Sequence, residues 1–308
     1  MIIMYHQVNL PDYFFSGLGH FPFSEFKNQI EALKRSYSYS PSIPEAFNNS
    51  KFFYLTFDDG LKGHIDCVAP YLKRTGLTAT FYASSMPLIT GQVCNVHLAQ
   101  LSASLLSYDD LSSLKSDLIS HVDLCESEIF IETYENQSHS LTQKHVKSLV
   151  NYHLSYEVAR DLLLKYVTSN LGLTEETIVK NLYMTVSELK ELKAFGFNVF
   201  PHFHSHQLLG KLSLHELKSE FEVSLGCFLE IFSEAPVELC IPFGMAGSWN
   251  RHCHDLCEHF GVKRVITVSP IEEIDASIST GSSIEYFHRL DCNQFPHAAY
   301  MEFPINVI

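Results

Sequence analysis

The chain has 308 residues and a formal net charge of -14, with 46% hydrophobic and 18% charged residues. That balance describes a folded chain able to bury one large core, or one core with an inserted subdomain, and not a disordered protein. The acidic charge and the lack of any Lys/Arg run argue against a nucleic-acid binder, and no apolar stretch approaches the length of a membrane span.

Residues 1 to 8 read as a first strand. They run from an apolar start into His6 with no basic leader, long apolar core or cleavage site, so a signal peptide is not expected. Eight cysteines without a framework spacing suggest free thiols in a reducing compartment, which makes the cytoplasm the expected location. His6 either points into a pocket or serves a strand-end hydrogen bond. Residues 9 to 22 read as a surface loop. Ser24 is a plausible N-cap for a helix carrying Phe26, Ile30 and Leu33, and residues 41 to 50 read as a linker.

The stretch Phe52-Phe53-Tyr54-Leu55-Thr56-Phe57-Asp58-Asp59-Gly60 is the most informative. An uncharged, aromatic and aliphatic strand ends in two adjacent carboxylates and a glycine. Gly60 frees the backbone to turn, and both carboxylates can then reach one pocket mouth. Paired carboxylates are costly without a cation between them, whereas the bland reading is an Asp-Gly turn beside a solvated neighbour. A helix over 64 to 75, capped by Gly76, and a buried strand over 77 to 84 follow. Strand, helix, strand implies parallel pairing with helices outside.

Residues 88 to 181 lack a strand pattern and read as a helical insertion, with amphipathic stretches near 96–106, 109–120, 143–151 and 155–170; Ser140 and Gln143 suit a capping box. Placed at a βα loop, it serves either as a cap on the site or as a packing or dimerisation element. The expected division is therefore 1–87 and 182–308 for the two parts of the main fold, with 88–181 inserted.

After a helix over 186 to 195, a second short strand runs into His202-Phe203-His204-Ser205-His206. Imidazoles on alternate positions beside a carboxylate suit zinc or another first-row divalent metal. A long helix over 214 to 232, the strand before Pro242-Phe243-Gly244, a helix over 251 to 259 and a strand over 264 to 268 complete the pattern. His252, Cys253, His254, Cys257 and His259 offer a rival, structural metal site, although they fall where the fold needs a plain helix.

Thr56 to Gly60, His202 and His206 with Ser205 between them, Pro242-Phe243-Gly244 and the opening Met4-Tyr5-His6 together resemble the polysaccharide deacetylase family, also called the NodB-homology or carbohydrate esterase 4 group. The resemblance spans all but the middle of the chain. It implies an α/β fold, a distorted (β/α) barrel of the NodB-homology type, here with a helical insertion. It also implies a metal-dependent hydrolase that removes an acetyl or other small acyl group from an amino sugar of a glycan or glycan precursor. Asp59, His202 and His206 would hold a divalent metal, zinc before nickel or cobalt, and Asp58 would be the general base. By its order in the chain His288 would be the general acid that the resemblance implies, and His6, Pro242, Phe243, Gly244 and Arg289 would line the substrate site.

Three departures stand out. Phe203 follows His202 where the family has Ser or Thr, which leaves His204 as an alternative ligand. Pro201 precedes the ligand. The family's bracing arginine before Pro242 is missing, with Cys240 and Ile241 in its place and Arg289 as a possible substitute. The alternative functions are an inactive carbohydrate-binding barrel and a deacylase of a non-sugar amide. Lacking a leader, the chain is expected to meet a nucleotide-linked, lipid-linked or nascent glycan. The sequence leaves its oligomeric state open.

Overall fold

Residues 1–9, 21–134, 139–278 and 283–295 are described by a computed structural model. The strands are β1 (Ile2–Tyr5), β2 (Ser38–Tyr39), β3 (Phe52–Phe57), β4 (Thr80–Ala83), β5 (Asn198–Pro201), β6 (Glu238–Cys240), β7 (Arg264–Thr267), β8 (Glu285–His288) and β9 (Leu290–Asp291). All pairings among them are parallel. One six-stranded sheet runs β5-β4-β3-β1-β9, with β2 beside β3, and a three-stranded sheet runs β6-β7-β8.

Strand alternation gives the sheets an inner and an outer face. Ile2, Tyr54, Tyr82, Cys240, Ile266 and Phe287, one from each of six strands in both sheets, share a single buried cluster with Phe200 of β5 against it. The opposite parity (Ile3, Tyr5, Phe53, Leu55, Phe57, Phe81, Val199) packs outward beneath helix α1 (Phe23–Ser36), which contributes Phe26, Ile30 and Leu33. Inner residues from two sheets meeting in one cluster is the arrangement of a barrel interior.

The wall is interrupted at two seams. At one, β8 pairs with β7 and β9 pairs with β1, so the chain changes sheets at Arg289. At the other, β5 and β6 lie in different sheets. Asn198 N and His202 N donate to the carbonyls of Ala79, just before β4, and Ala83, at its end, so alternation aims the nitrogen of residue 201 the other way. Residue 201 is proline and has no N–H to offer a further strand. Pro201 therefore terminates the ladder as well as preceding His202.

Residues 41 to 50, expected to be a linker, contain helix α2 (Ile43–Asn48). Ser42 caps it by accepting from Glu45 N, and Pro44 sits in the first turn, where a missing N–H costs nothing. The expected helix over 64 to 75 begins as a π turn (His64–Val68) and continues as α3 (Ala69–Thr75), ending at left-handed Gly76. Pro70 at the start of α3 prevents one continuous ladder. The expected loop over 9 to 22 falls largely outside the described residues, as do 279–282 and 296–308 of the tail.

Between β4 and β5 the described residues are helical: α4 (Ser85–Thr90), α5 (Asn95–Leu105), α6 (Tyr108–Ile119), α7 (Leu141–Ser148), α8 (Tyr156–Leu171) and α9 (Glu175–Leu182). Leu98, Leu101, Leu114, Val146, Leu163 and Ile178 belong to a core of their own. Ser140 forms the expected capping box with Gln143. The chain re-enters the barrel through α10 (Val186–Ala194), and α11 (Leu214–Phe232) and α12 (Arg251–Phe260) cover the second sheet.

Candidate functional site

The site lies at the C-terminal ends of the strands, where successive turns deliver side chains to one place. Residues 52, 54 and 56 of β3 share the inner parity, and Asp58 continues it into the top of the barrel. Asp59 has the wrong parity, but φ of +73° turns it into the same mouth. Gly60 follows at +67°, with space for no side chain: a Cβ there would lie 2.6 Å from that of Ala83. His206 also adopts a left-handed conformation, φ +59°. Two non-glycine residues held this way store about 1–3 kcal/mol each, a cost found where a site imposes geometry.

Arg289 is the partner of Asp58. Its Nη1 and Nη2 donate to Oδ1 and Oδ2 at 2.7 and 2.6 Å, and both residues are buried. The guanidinium also donates to Thr56 Oγ1 (3.1 Å), to the Thr267 carbonyl (3.3 Å) and to Cys240 Sγ (3.0 Å). Burial pushes the Asp58 carboxyl up, but the guanidinium outweighs it and holds the group at about 2. Arg289 thus occupies the bracing role considered for it, from inside the barrel. Its polar contacts go to the protein, and no substrate-facing surface is left for the role first expected of it.

Asp59, His202 and His206 present three ligand atoms within 4.8 Å of one another. Asp59 Oδ1 lies 3.5 Å from His202 Nε2 and 3.3 Å from His206 Nε2, is buried, and has no hydrogen-bond partner. His202 Nδ1 lies 3.0 Å from the Cys240 carbonyl, which can only accept, so the proton sits on Nδ1 and Nε2 keeps its lone pair. Burial lowers His202 to about 4, so the ring is neutral near pH 7. An unpartnered carboxylate oxygen facing neutral imidazole nitrogens is a donor set that fits a divalent cation.

The turn from His202 to His206 is fixed by groups the sequence left unassigned. Glu220 of α11 accepts from His204 N (2.9 Å), Ser205 N (3.1 Å) and the Ser205 hydroxyl. Phe203 is buried against Phe221 and Trp249, so it anchors the turn where the family has a hydroxyl. His204 Nδ1 contacts Ser85 Oγ at 2.9 Å, and His204 is not part of the three-ligand group. Phe243, at φ +66°, stacks edge-on with His206 at 5.0 Å, and Gly244 behind it would put a Cβ 2.6 Å from Val268 N.

His6 Nε2 lies 3.8 Å from Asp58 Oδ2, and its side chain is 41% exposed. His288 is placed differently from expectation. Phe287 and Arg289 take the inner parity, so His288 turns outward, and its ring lies edge-on to Phe47 of α2 at 4.9 Å. Among the described residues it makes no hydrogen bond to Asp58, Asp59, His202 or His206. The Cys/His cluster at 252–259 forms α12. Cys253, His254 and Cys257 are buried there, His254 Nδ1 contacts Tyr286 OH at 2.8 Å, and the cluster is absent from the potential metal groups among the described residues.

One contact comes from the insertion. His97 of α5 is buried, with Nε2 3.2 Å from Asp59 Oδ2 and Nδ1 2.5 Å from Tyr183 OH. A groove of about 580 Å³ opens beside His206 and Phe243. Asn95, Tyr152 and Tyr156 of the insertion line it, and Lys211 lies against Tyr152, donating to its carbonyl at 3.0 Å. The groove's volume suits a ligand of several rings.

His202 and His64 carry a pH prediction. Burial holds both at about 4, whereas an unfolded histidine titrates near 6.5. The unfolded chain therefore binds more protons between those values, and stability present above pH 6.5 is lost as pH falls toward 4. Each ring contributes roughly 1.4 kcal/mol per pH unit in that window. Urea midpoints of chelator-treated protein should fall steadily from pH 7 to 5; a flat profile would contradict the burial of these rings as neutral groups.

No protein-family model matches the chain, and no curated protein matches it in sequence. Solved structures do resemble it. The deacetylase PplD of Streptococcus pyogenes, solved with acetate, superposes with a TM-score of 0.51 at 14% identity, over 94% of this chain and 90% of that one. A de-N-acetylase from Aggregatibacter actinomycetemcomitans gives 0.52 at 14% identity, over 94% and 93%. IcaB from Ammonifex degensii gives 0.50 at 13% identity, over 94% and 89%. The chain therefore has the fold of these deacetylases, the distorted (β/α) barrel of the NodB-homology type. No described helix is long and apolar enough to cross a membrane.

Proposed function

We propose that the protein is a metal-dependent amidohydrolase that removes an acetyl or other small acyl group from the nitrogen of an amino sugar. The observation that carries this reading is the buried pair of neighbouring carboxylates with separate fates. Asp58 is ion-paired to Arg289, while Asp59 Oδ1 is left without a partner between two imidazoles. The shared fold with known deacetylases supports it.

Asp59, His202 and His206 would hold the cation, with zinc first among the choices for a two-His, one-Asp set and nickel or cobalt possible. Bound there, the metal supplies Lewis acidity to the amide carbonyl and to the attacking water. Asp58, ionised at any physiological pH, accepts the proton that water loses, and Arg289 keeps the carboxylate pointed at the site. The leaving nitrogen needs a proton. His6 is the histidine within reach of Asp58 and solvent, so we assign it that role in place of His288. Water adds to the carbonyl carbon, the C–N bond breaks, and the products are a carboxylate and an amine.

Phe243, flanked by Pro242 and Gly244, lines the groove with His206, and residues of the insertion over 88–181 line it too, which supports reading the insertion as a cap that shapes substrate choice. All eight cysteines are free thiols, which supports a reducing, cytoplasmic location and a glycan precursor or nascent glycan as substrate. The test is release of acetate together with a new primary amine from N-acetylglucosamine oligomers and from nucleotide-linked N-acetylglucosamine, with zinc supplied. Release that stops on chelation supports the reading; no release from either class, by protein shown to hold metal, overturns it.

A further inference from the structure

The insertion reaches beyond the groove wall into the site itself. Tyr183, where the chain leaves the insertion, pairs with Leu61 across an isolated bridge, and Met184 N donates to the Gly60 carbonyl at 2.8 Å. The Asp58-Asp59-Gly60 turn is thus clamped to the far end of the insertion. The Tyr183 hydroxyl accepts from Cys94 N at 3.2 Å, at the other end of the same segment where α5 begins.

The chemistry of the carboxylate fixes the direction of the key bond. The ionised Asp59 carboxylate can only accept, so in the 3.2 Å contact His97 Nε2–H donates to Asp59 Oδ2. The Tyr183 hydroxyl, 2.5 Å from Nδ1, holds the other side of the ring. One carboxylate oxygen is occupied by the bond from His97 and the other is left bare toward His202 and His206. His97 is buried and is not among the residues that line the groove, and among the described residues its ring bonds to Asp59 and Tyr183.

We infer that His97, held by Tyr183, is a positioning residue that fixes Asp59 for one-oxygen ligation, and that metal binding is thereby coupled to docking of the inserted helices. The inference rests on the reading of Asp59, His202 and His206 as metal ligands. Hydrogen-bond partners of ligating groups are worth about 10–100-fold in metal affinity. Coupling is reciprocal: if docked helices favour the metal, the metal must favour docked helices.

The test is zinc affinity by chelator competition, with no substrate present, in wild type, His97→Ala, His97→Gln and Tyr183→Phe. His97→Ala should bind about 10–100-fold more weakly, and His97→Gln, which keeps a side-chain N–H donor, should recover much of the loss. Zinc should slow amide hydrogen exchange over Asn95–Leu105 in wild type and less so in His97→Ala. If His97→Ala does not fold, Tyr183→Phe, which removes only a hydroxyl, decides by the same affinity measurement. Variants within about twofold of wild type, with wild type binding zinc normally, would overturn the positioning role alone. Wild type that binds no zinc would overturn the metal reading and this inference with it.

Discussion

Replacing Arg289 with methionine is expected to destabilise the protein by about 3–5 kcal/mol, because Asp58 would be left charged and buried without its partner. Arg289 and Asp58 share two short hydrogen bonds, and the guanidinium also donates to Thr56, Thr267 and Cys240, so one substitution strands several buried acceptors. Arg289 also stands where the chain passes from β8 to β9 and links the two sheets. Removing both charges together should cost much less than removing either alone, since a buried pair is repaid mainly by its partner. Urea unfolding of Arg289→Met, Asp58→Asn and the double variant measures this. A loss below about 1 kcal/mol for Arg289→Met would show that the pair is not buried as described.

Asp58→Asn is expected to lower deacylation about 10²–10⁴-fold while leaving bound metal at the wild-type level. Asparagine keeps the shape and a carbonyl oxygen for Arg289 but accepts no proton. The separation of rate from metal content is what distinguishes Asp58 from its neighbour, whose loss should remove both. Because the variant also leaves Arg289 uncompensated, rates belong at a temperature where folding is intact. Retention of more than about a tenth of the wild-type rate would remove Asp58 from the role of base.

The strand ends were legible because the sequence writes them plainly: uncharged runs at 52–57 and 197–201 stop at carboxylates and imidazoles. Parity along those strands even foretells that Asp58 faces inward. The same rule, applied to Phe287-His288-Arg289, turns His288 out and Arg289 in, and this strand geometry prevails over the order of the family motif, which points to His288. Helix α2 was hidden because Pro44 reads as a breaker unless the Ser42 cap before it is recognised. His97 was unreadable for a different reason. A histidine on the apolar side of a helix ordinarily packs in a core, and nothing local says that this helix docks on a turn thirty-odd residues earlier in the chain. Glu220 is a similar case, a buried acid on a long helix whose purpose appears only when the His202–His206 turn is folded against it.

The most direct measurement is the metal content of purified protein after equilibration with zinc, wild type beside Asp59→Ala and His206→Ala. The account predicts about one equivalent in wild type and a large loss in both variants, with the fold retained. Wild type that takes up no metal, or variants that keep it, would contradict the assignment of Asp59, His202 and His206 as the site.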